Sequence, residues 1–378
     1  MNKSNYLSLG LILSLFVVSG GIILYENIYS LSSSLVINFV SIIVGLAIAL
    51  LCFVPSIIIK SKTNLSFPQF ALKKTPSFII FVSAIYSLIF LYGILYFLLK
   101  YLDVFSSTLN PEGNRLFVAF IIVAMSIYSS YKGGGAVVRS GTIIFVFAII
   151  AYLLIISGNI SNLDFGNMVD KIFLNGKNII SSVSAFSTVS FISLIYLSMS
   201  ESFEKFKIKQ IIITLVLILA LFFISIFFIW FSLGEYGKQQ DFQMHLLSKS
   251  AQLGDIGGID SFYLIVSALT IFMTVSLLLI CIGKFNIMGI MDLSDIKERS
   301  INFNNIDKSN IIKRKKSARL INGITYSLIV LILFICAEKY SAVRDILTSS
   351  YILNILNFIA SILIPSVYIA VFRRSLDV

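Results

Sequence analysis

The stretch IIITLVLILALFFISIFFIWFSL, residues 211–233, contains no charged residue. At 1.5 Å per residue, a helix of this length is about 34 Å long, enough to cross the ~30 Å hydrocarbon layer of a bilayer. Inside that layer each backbone N–H and C=O needs a partner within its own segment, so the run predicts a transmembrane helix. Most of the chain has the same character, since 58% of its 378 residues are hydrophobic and only 12% are charged. A soluble globular protein is therefore excluded.

A window of about 19 residues predicts ten spans of this kind. The first follows Lys3 and contains no A-x-A-like cleavage site, so it is expected to be a membrane helix rather than a signal peptide. Three consecutive glycines at 133–135 favour two helices over one, because a single helix over 116–157 would be roughly 60 Å long. The predicted spans are residues 6–24, 35–59, 78–99, 116–131, 140–157, 179–199, 211–233, 259–282, 320–337 and 350–372.

The basic residues are distributed unevenly between alternate connections. With a cytoplasmic N-terminus, 21 of the 29 Lys and Arg residues lie on the cytoplasmic side, together with only 7 of the 18 Asp and Glu residues. Cytoplasmic loops of membrane proteins are enriched in Lys and Arg, so this distribution predicts that both termini are cytoplasmic. The basic end of the connection 283–319 is expected to attract anionic membrane lipids, which is favoured over docking of a partner or a nucleic acid.

Ten spans divide into two sets of five, residues 1–157 and residues 158–378. An odd number of spans in each set gives the second set the opposite orientation in the membrane. Transporters built from inverted repeats bind their substrate near the midplane, between helices that are interrupted there. The predicted fold class is therefore an all-α polytopic membrane protein with ten transmembrane helices, a 5+5 inverted repeat and discontinuous helices one and six.

The first span carries Ser19, Gly20 and Gly21 about two thirds of the way along its length. Each glycine lowers helix propensity by roughly 1 kcal/mol relative to alanine, which favours a break whose amides bind an anionic ligand group. The same small residues are also typical of a face where two helices pack closely. The sequence is compatible with both interpretations.

The sixth span begins with a run of hydroxyl side chains between residues 181 and 188. Ser184, Ser187 and Thr188 have the spacing i, i+3 and i+4, which places them on one face of a helix. These hydroxyls either hydrogen-bond a neighbouring helix or face a polar cavity, and the matching position in the second half favours the cavity. The candidate ligand-binding residues are Ser19, Gly20, Gly21, Ser184, Ser187 and Thr188.

No Asp, Glu, Lys or Arg lies deep within a predicted span, which argues against a proton relay of buried acids. Arg139, at the start of the fifth span, is a candidate internal cation if it turns inward. His245, in the connection 234–258, has no His or Cys partner in the pattern of a metal site and is expected to be a surface residue. Nucleotide-binding and nucleophile motifs are also absent from the sequence, so we expect no metal, no cofactor and no enzymatic activity.

Parts of the sequence resemble the B subunit of spore germinant receptors, a family within the amino acid–polyamine–organocation transporter superfamily. Residues 128–141, YSSYKGGGAVVRSG, are similar to the family's Y-x(n)-G-x-E-x-I-x-R stretch that opens the fifth span, with Gly135 or Ala136 in place of the acidic residue. Residues 251–284 are similar to the outer segment that leads into the eighth span. The ending at 364–374 also resembles that of the family.

This resemblance implies a transporter-like membrane subunit of a germinant receptor, located in the bacterial cell membrane that forms the spore inner membrane. Such a subunit binds a small germinant, typically an amino acid, between spans one, three, six and eight. The implied partners are an A-type membrane subunit and a C-type lipoprotein subunit. The main alternative is an amino acid permease or exchanger of the same superfamily. A membrane enzyme of glycan or lipid assembly is disfavoured, because the outer connections 100–115 and 158–178 hold only scattered charges.

Overall fold

The computed structural model describes residues 35–63, 65–108, 114–168, 176–200, 208–238, 242–253, 258–298 and 308–372, together with Leu13, Leu15 and Val18. Over these residues the chain is all-helical, with nine helices that are long and apolar enough to cross a membrane. They coincide with the second to tenth spans predicted from the sequence, so the chain is a multi-pass membrane protein. The first predicted span, 6–24, lies almost entirely outside the described residues.

The helices of the described residues are numbered α1 to α14 in chain order. They are Leu35–Thr63 (α1), Phe67–Lys74 (α2), Ile79–Thr108 (α3), Arg115–Lys132 (α4), Gly134–Gly158 (α5), Gly176–Ser187 (α6), Ile192–Met199 (α7), Ile208–Lys238 (α8), Gln243–Ser250 (α9), Ile259–Glu298 (α10), Lys308–Lys339 (α11), Ser341–Leu347 (α12), Ser350–Phe358 (α13) and Ile364–Val371 (α14). A 3-10 turn, Thr188–Phe191, separates α6 from α7, and a π-helical turn, Ile359–Leu363, separates α13 from α14. Because α10 and α11 extend beyond the predicted spans, much of the connection 283–319 is helical rather than a loop.

Two groups of helices account for most of the packing. In the first group, α1 packs against α6, α7 and α8. In the second group, α10 packs against α3, α4 and α5, and α11 packs against α4. The last span contacts both groups, because α13 packs against α3 and α6 while the π-helical turn packs against α1. The sixth and last spans therefore lie where the two groups meet.

A single residue, Gly133, joins the fourth and fifth spans. Its φ of 92° is a left-handed conformation that favours glycine, and its N–H donates to the carbonyls of Ser129 and Ser130 at the end of α4. Helix α5 begins at the next residue, so residues 134–139 extend the fifth helix instead of separating the spans. The prediction of two helices is confirmed, and the connection is shorter than expected.

The last span is distorted beside Pro365. Proline has no N–H, and its ring crowds the carbonyl four residues earlier, which here belongs to Ser361. The chain forms the π-helical turn at this point. The Tyr86 hydroxyl of α3 donates to the carbonyl of Ala360 at 2.5 Å, so a side chain from the second helix group satisfies a polar group of the turn.

Helix α9, in the connection between α8 and α10, packs against α8, α10 and α5. Asn159, which follows α5, donates to the Leu247 carbonyl at 2.8 Å and accepts from the Ser250 hydroxyl at 2.8 Å, and these bonds hold α9 in place. The expectation that His245 is a surface residue is wrong, because only 5% of it is exposed and its ring centroid lies 5.9 Å from that of Tyr263. The short helix has a mostly polar sequence, QMHLLSKS, and such a sequence is typical of an exposed connection.

Replacing His245 with leucine is expected to make the protein less sensitive to acid. Neither ring nitrogen has a hydrogen-bond partner among the described residues. The pKa of His245 is lowered from 6.5 to about 4, mainly by burial and to a smaller extent by Lys249, while Asp260 acts in the opposite direction. Between these two pKa values the unfolded chain binds a proton that the folded chain excludes, so stability falls as the pH decreases through this window.

Thermal unfolding of the wild type and of His245→Leu between about pH 7 and pH 4 measures this effect. We expect the midpoint of the variant to change less over that range. A difference between the two proteins that stays constant with pH would contradict the prediction.

Candidate functional site

The sixth span changes from α-helix to 3-10 helix near its centre, at Thr188–Phe191. The Ser187 hydroxyl donates to the Ser184 carbonyl at 3.0 Å. In the same way, the Thr188 hydroxyl donates to the Ala185 carbonyl at 2.6 Å. Local hydroxyl-to-carbonyl bonds of this kind compete with the regular helical pattern. The hydroxyl-rich sequence thus accompanies a change in backbone geometry inside the membrane.

Phe191 anchors this turn to the second helix group. Its ring contacts Phe97 and Phe90 of α3 edge to face, with centroids 5.8 Å and 6.4 Å away. The ring lies directly over Gly93 of α3, where a Cβ atom would collide with it. Packing against α3 therefore determines the position of the turn and of the polar side chains beside it.

Polar side chains of the sixth span pair with polar side chains of the last span. The Ser184 hydroxyl lies 3.1 Å from the Ser350 hydroxyl and 3.1 Å from Asn354 Nδ2. Asn354 Nδ2 also donates to the Ser184 carbonyl at 2.6 Å. Further along both segments, Asn357 Nδ2 donates to the Ser190 hydroxyl. Because residues further along one segment meet residues further along the other, the two segments run parallel.

The face of α1 that approaches α6 consists of small and polar residues. Gly45 lies so close to α6 that a Cβ atom on it would be 2.8 Å from the Cβ of Phe186. Asn38 and Ser41 precede Gly45 by seven and four residues, which places them on the same face of the helix. Both side chains are completely buried. Two polar residues of α1 are thus directed into the protein rather than toward lipid.

Several buried polar atoms of these helices have no hydrogen-bond partner among the described residues. They are both polar side-chain atoms of Asn38, the hydroxyls of Ser41, Ser182 and Ser193, and the Oδ1 atoms of Asn354 and Asn357. A buried polar atom without a partner costs about 1–3 kcal/mol. Each of these atoms can still form a hydrogen bond with a further polar group. We refer to Asn38, Ser41, Ser182, Ser184, Asn354 and Asn357 as the polar seam.

Three of the predicted ligand-binding residues lie outside the described residues: Ser19, Gly20 and Gly21. Ser184 belongs to the polar seam, where its hydroxyl contacts the last span. Ser187 and Thr188 are buried, but their hydroxyls bond to carbonyls of α6. Arg139 is exposed, so in this structure it does not turn inward as an internal cation.

Sequence reasoning missed three asparagines of the polar seam, Asn38, Asn354 and Asn357. The sequence predictions concerned charged residues and the first span of each half. These asparagines are uncharged and lie in the second and last spans. The sequence does contain an indication of these residues. An asparagine inside an apolar span costs free energy unless it has a polar partner, so its presence there points to a polar contact. Asn354 and Asn357 also have the i, i+3 spacing of one helical face.

Another asparagine, Asn286 of α10, is partly buried and differs from Asn38 in having partners. Its Oδ1 accepts from Ser83 at 2.5 Å and from Ser87 at 3.2 Å, both on α3. Its Nδ2 donates to the Tyr326 hydroxyl of α11 at 2.7 Å. Asn286 thus joins three helices of the second group, which is a structural role and a reference for the unpartnered side chain of Asn38.

No protein-family model matches the chain, and no curated protein sequence matches it. The functional interpretation therefore depends on the geometry of the polar seam and on the sequence segments described above. The geometry provides uncharged donors and acceptors in a buried position. Groups of this kind bind a small polar molecule without supplying a general base or a metal ligand set.

Proposed function

We propose that this chain is a transporter-like receptor subunit that binds a small polar molecule, with a free amino acid as the favoured class, at the polar seam. The observation that supports the proposal is the set of buried, unpartnered polar atoms on the second, sixth and last spans. The resemblance of residues 128–141 and 251–284 to spore germinant receptor subunits supports a germinant as the ligand. Partner A-type and C-type subunits of such a receptor are part of the same proposal.

The polar seam suits a ligand without net charge. Its asparagine and serine side chains offer N–H and O–H donors for a carboxylate, and Oδ1 acceptors for an ammonium group. None of its six side chains is ionised, and a buried ligand with net charge would lack a counter-charge from them. A zwitterionic amino acid supplies both signs itself, so we favour it over a cation or an anion.

The proposed arrangement is a 5+5 inverted repeat of ten spans, with Gly20 and Gly21 of the first span completing the site. Asn38, Ser182 and Asn354 all lie in the first turns of their spans, which points to ligand entry at that end of the helices. The distribution of Lys and Arg supports assigning this end to the outer face, with both termini cytoplasmic. The membrane would be the spore inner membrane.

A ligand at the polar seam can act on the two helix groups because it lies where they meet. Binding shifts an equilibrium between two arrangements only by the difference in affinity for them. Ser184 and Asn354 already form a contact between the sixth and last spans. A ligand that bonds to the Oδ1 atom of Asn354 would stabilise the arrangement in which these spans are together. Signalling needs this shift alone, whereas a permease or exchanger also has to release the ligand on the other side.

Ligand binding by Asn38→Leu and Asn286→Leu variants tests the proposal. The purified protein is heated with each of the twenty amino acids, and a rise in the unfolding midpoint identifies a ligand. We expect Asn38→Leu to abolish this rise at little cost to basal stability, because its side chain has no partner to lose. Asn286→Leu should lower basal stability, because it leaves hydroxyls of α3 and α11 unpaired, while it preserves the rise.

Two results would contradict the proposal. One is an unchanged amino acid response in Asn38→Leu, and the other is the absence of any response in the wild type. Uptake of the identified amino acid into proteoliposomes then separates sensing from transport. A receptor subunit is expected to bind without accumulating the ligand, whereas an exchanger takes up labelled ligand when the vesicles are preloaded.

A further inference from the structure

A groove lies between α4 and α5, with α10 as its floor, on a surface that faces lipid. Its volume is about 490 Å³, and its lining residues are Ala124, Met125, Tyr128, Ser129 and Lys132 of α4, Ala136 and Ser140 of α5, and Phe272 of α10. Met125 is 50% exposed and Tyr128 is 64% exposed, although both belong to a membrane span. None of these residues belongs to the polar seam.

The two ends of the groove differ in polarity. At one end, Lys132 Nζ lies 5.2 Å from the centroid of the Tyr128 ring. Ser129, one turn earlier, also lines the groove and is only 7% exposed. Helix α5 begins beside this end at Gly134 without a side-chain cap, and a helix N-terminus carries partial positive charge. Toward Ala124 the groove is apolar.

The length of the groove matches one leaflet of a membrane. From Lys132 to Ala124, α4 advances about 12 Å, which is most of the ~15 Å half-thickness of the hydrocarbon layer. Lys132 is the last residue of its span, so the polar end lies at the membrane surface, where phospholipid headgroups are found. The segment 115–158 contains no Asp or Glu, so its charge is only positive.

We propose that this groove binds one acyl chain of an anionic phospholipid, with the lipid phosphate at Lys132 and Ser129. The positive end of the groove complements the phosphate, and the Ser129 hydroxyl can donate to a phosphate oxygen. The apolar side chains between α4 and α5 contact the acyl chain. A soluble phosphate would use only the polar end and would leave the apolar part without a partner.

Native mass spectrometry of the purified chain tests this proposal. The protein is incubated in detergent with equal amounts of phosphatidylglycerol and phosphatidylcholine, and the lipids that stay bound are counted. We expect the wild type to retain phosphatidylglycerol preferentially. Lys132→Gln should weaken that retention about fivefold, which corresponds to ~1 kcal/mol for one basic residue at a membrane surface. Ala124→Trp, at an exposed position, should block the apolar part and reduce retention of both lipids.

Lys339→Gln is the matched control. Lys339 Nζ also lies near a tyrosine ring at the end of a span, 5.7 Å from the centroid of Tyr340, but it does not line the groove. Its variant should retain lipid like the wild type. Equal retention of the two lipids by the wild type, or equal losses in Lys132→Gln and Lys339→Gln, would overturn the proposal. Displacement of phosphatidylglycerol by an equal concentration of glycerol 3-phosphate would also overturn it, because the acyl chain would then contribute nothing.

Discussion

Leucine at position 45 is expected to remove most of the folded protein from the membrane. A Cβ atom on Gly45 would lie 2.8 Å from the Cβ of Phe186 and 3.0 Å from the backbone nitrogen of Ser187. Backbone atoms cannot rotate away as the end of a side chain can, so α1 and α6 would have to separate. Overpacking typically costs about 1–3 kcal/mol. Gly45→Ala should fall in that range, and Gly45→Leu should exceed it.

The measurements are the amount of protein in the membrane fraction and the unfolding midpoint after purification. Gly283→Ala is the matched control, because Gly283 also lies in a membrane helix but has no atom within 4 Å of an added Cβ. It should be as stable as the wild type, or more stable by up to about 1 kcal/mol through helix propensity. Wild-type abundance and midpoint in Gly45→Leu would show that α1 and α6 do not approach as closely as described.

Replacing Arg115 with leucine is expected to lower the free energy of unfolding by about 1–3 kcal/mol, between the values for exposed and buried ion pairs. Arg115, at the start of α4, lies 2.6 Å from Asp103 of α3 and 3.2 Å from Glu338 of α11. Arg344 of α12 pairs with the same Asp103 oxygen. Only 17% of the Arg115 side chain is exposed, so water compensates poorly for its loss. The variant removes the ion pairs of Arg115 with Asp103 and Glu338, and so weakens a network that joins α3, α4, α11 and α12.

A double-mutant cycle with Glu338→Gln isolates the Arg115–Glu338 pair, and thermal unfolding supplies the stabilities. Arg115→Lys is expected to recover only part of the lost stability. It keeps the positive charge, but an ammonium group lacks the planar fork of N–H donors with which a guanidinium group reaches two carboxylates. An Arg115→Leu variant as stable as the wild type would contradict the network. If the stability loss of the double mutant equals the sum of the two single losses, Arg115 and Glu338 do not interact.

The positions of the spans in the described part of the chain could be predicted closely from the sequence. The predicted spans 179–199 and 211–233 correspond to helices Ile179–Met199 and Ile211–Gly234. Hydrophobic length and the absence of charge decide such spans, because lipid cannot hydrogen-bond an exposed backbone. The glycines at 133–135 also predicted a helix break, although only Gly133 leaves the helical conformation.

The candidate site was predicted only in part. Ser184 was expected to line a polar site, and it lies in the polar seam with contacts to Asn354. Asn354 and Asn357 follow Ser184 by about 170 residues, and Asn38 precedes it by about 145, so spacing along the chain could not bring them together. His245 was assigned to the surface because burial of a short helix in a connection leaves no periodic signal in so few residues.

The sequence by itself determined that this chain is helical, lies in a membrane and crosses it repeatedly, because these properties depend on the local length of apolar runs. Tertiary structure alone decided which polar side chains meet, since that depends on how closely helices distant in sequence approach. The approach of α1 to α6 at Gly45 and the position of Phe191 over Gly93 are such contacts. Such contacts bury Asn38 and Ser182, and they bring Asn357 beside Ser190, a residue 167 positions away in the sequence.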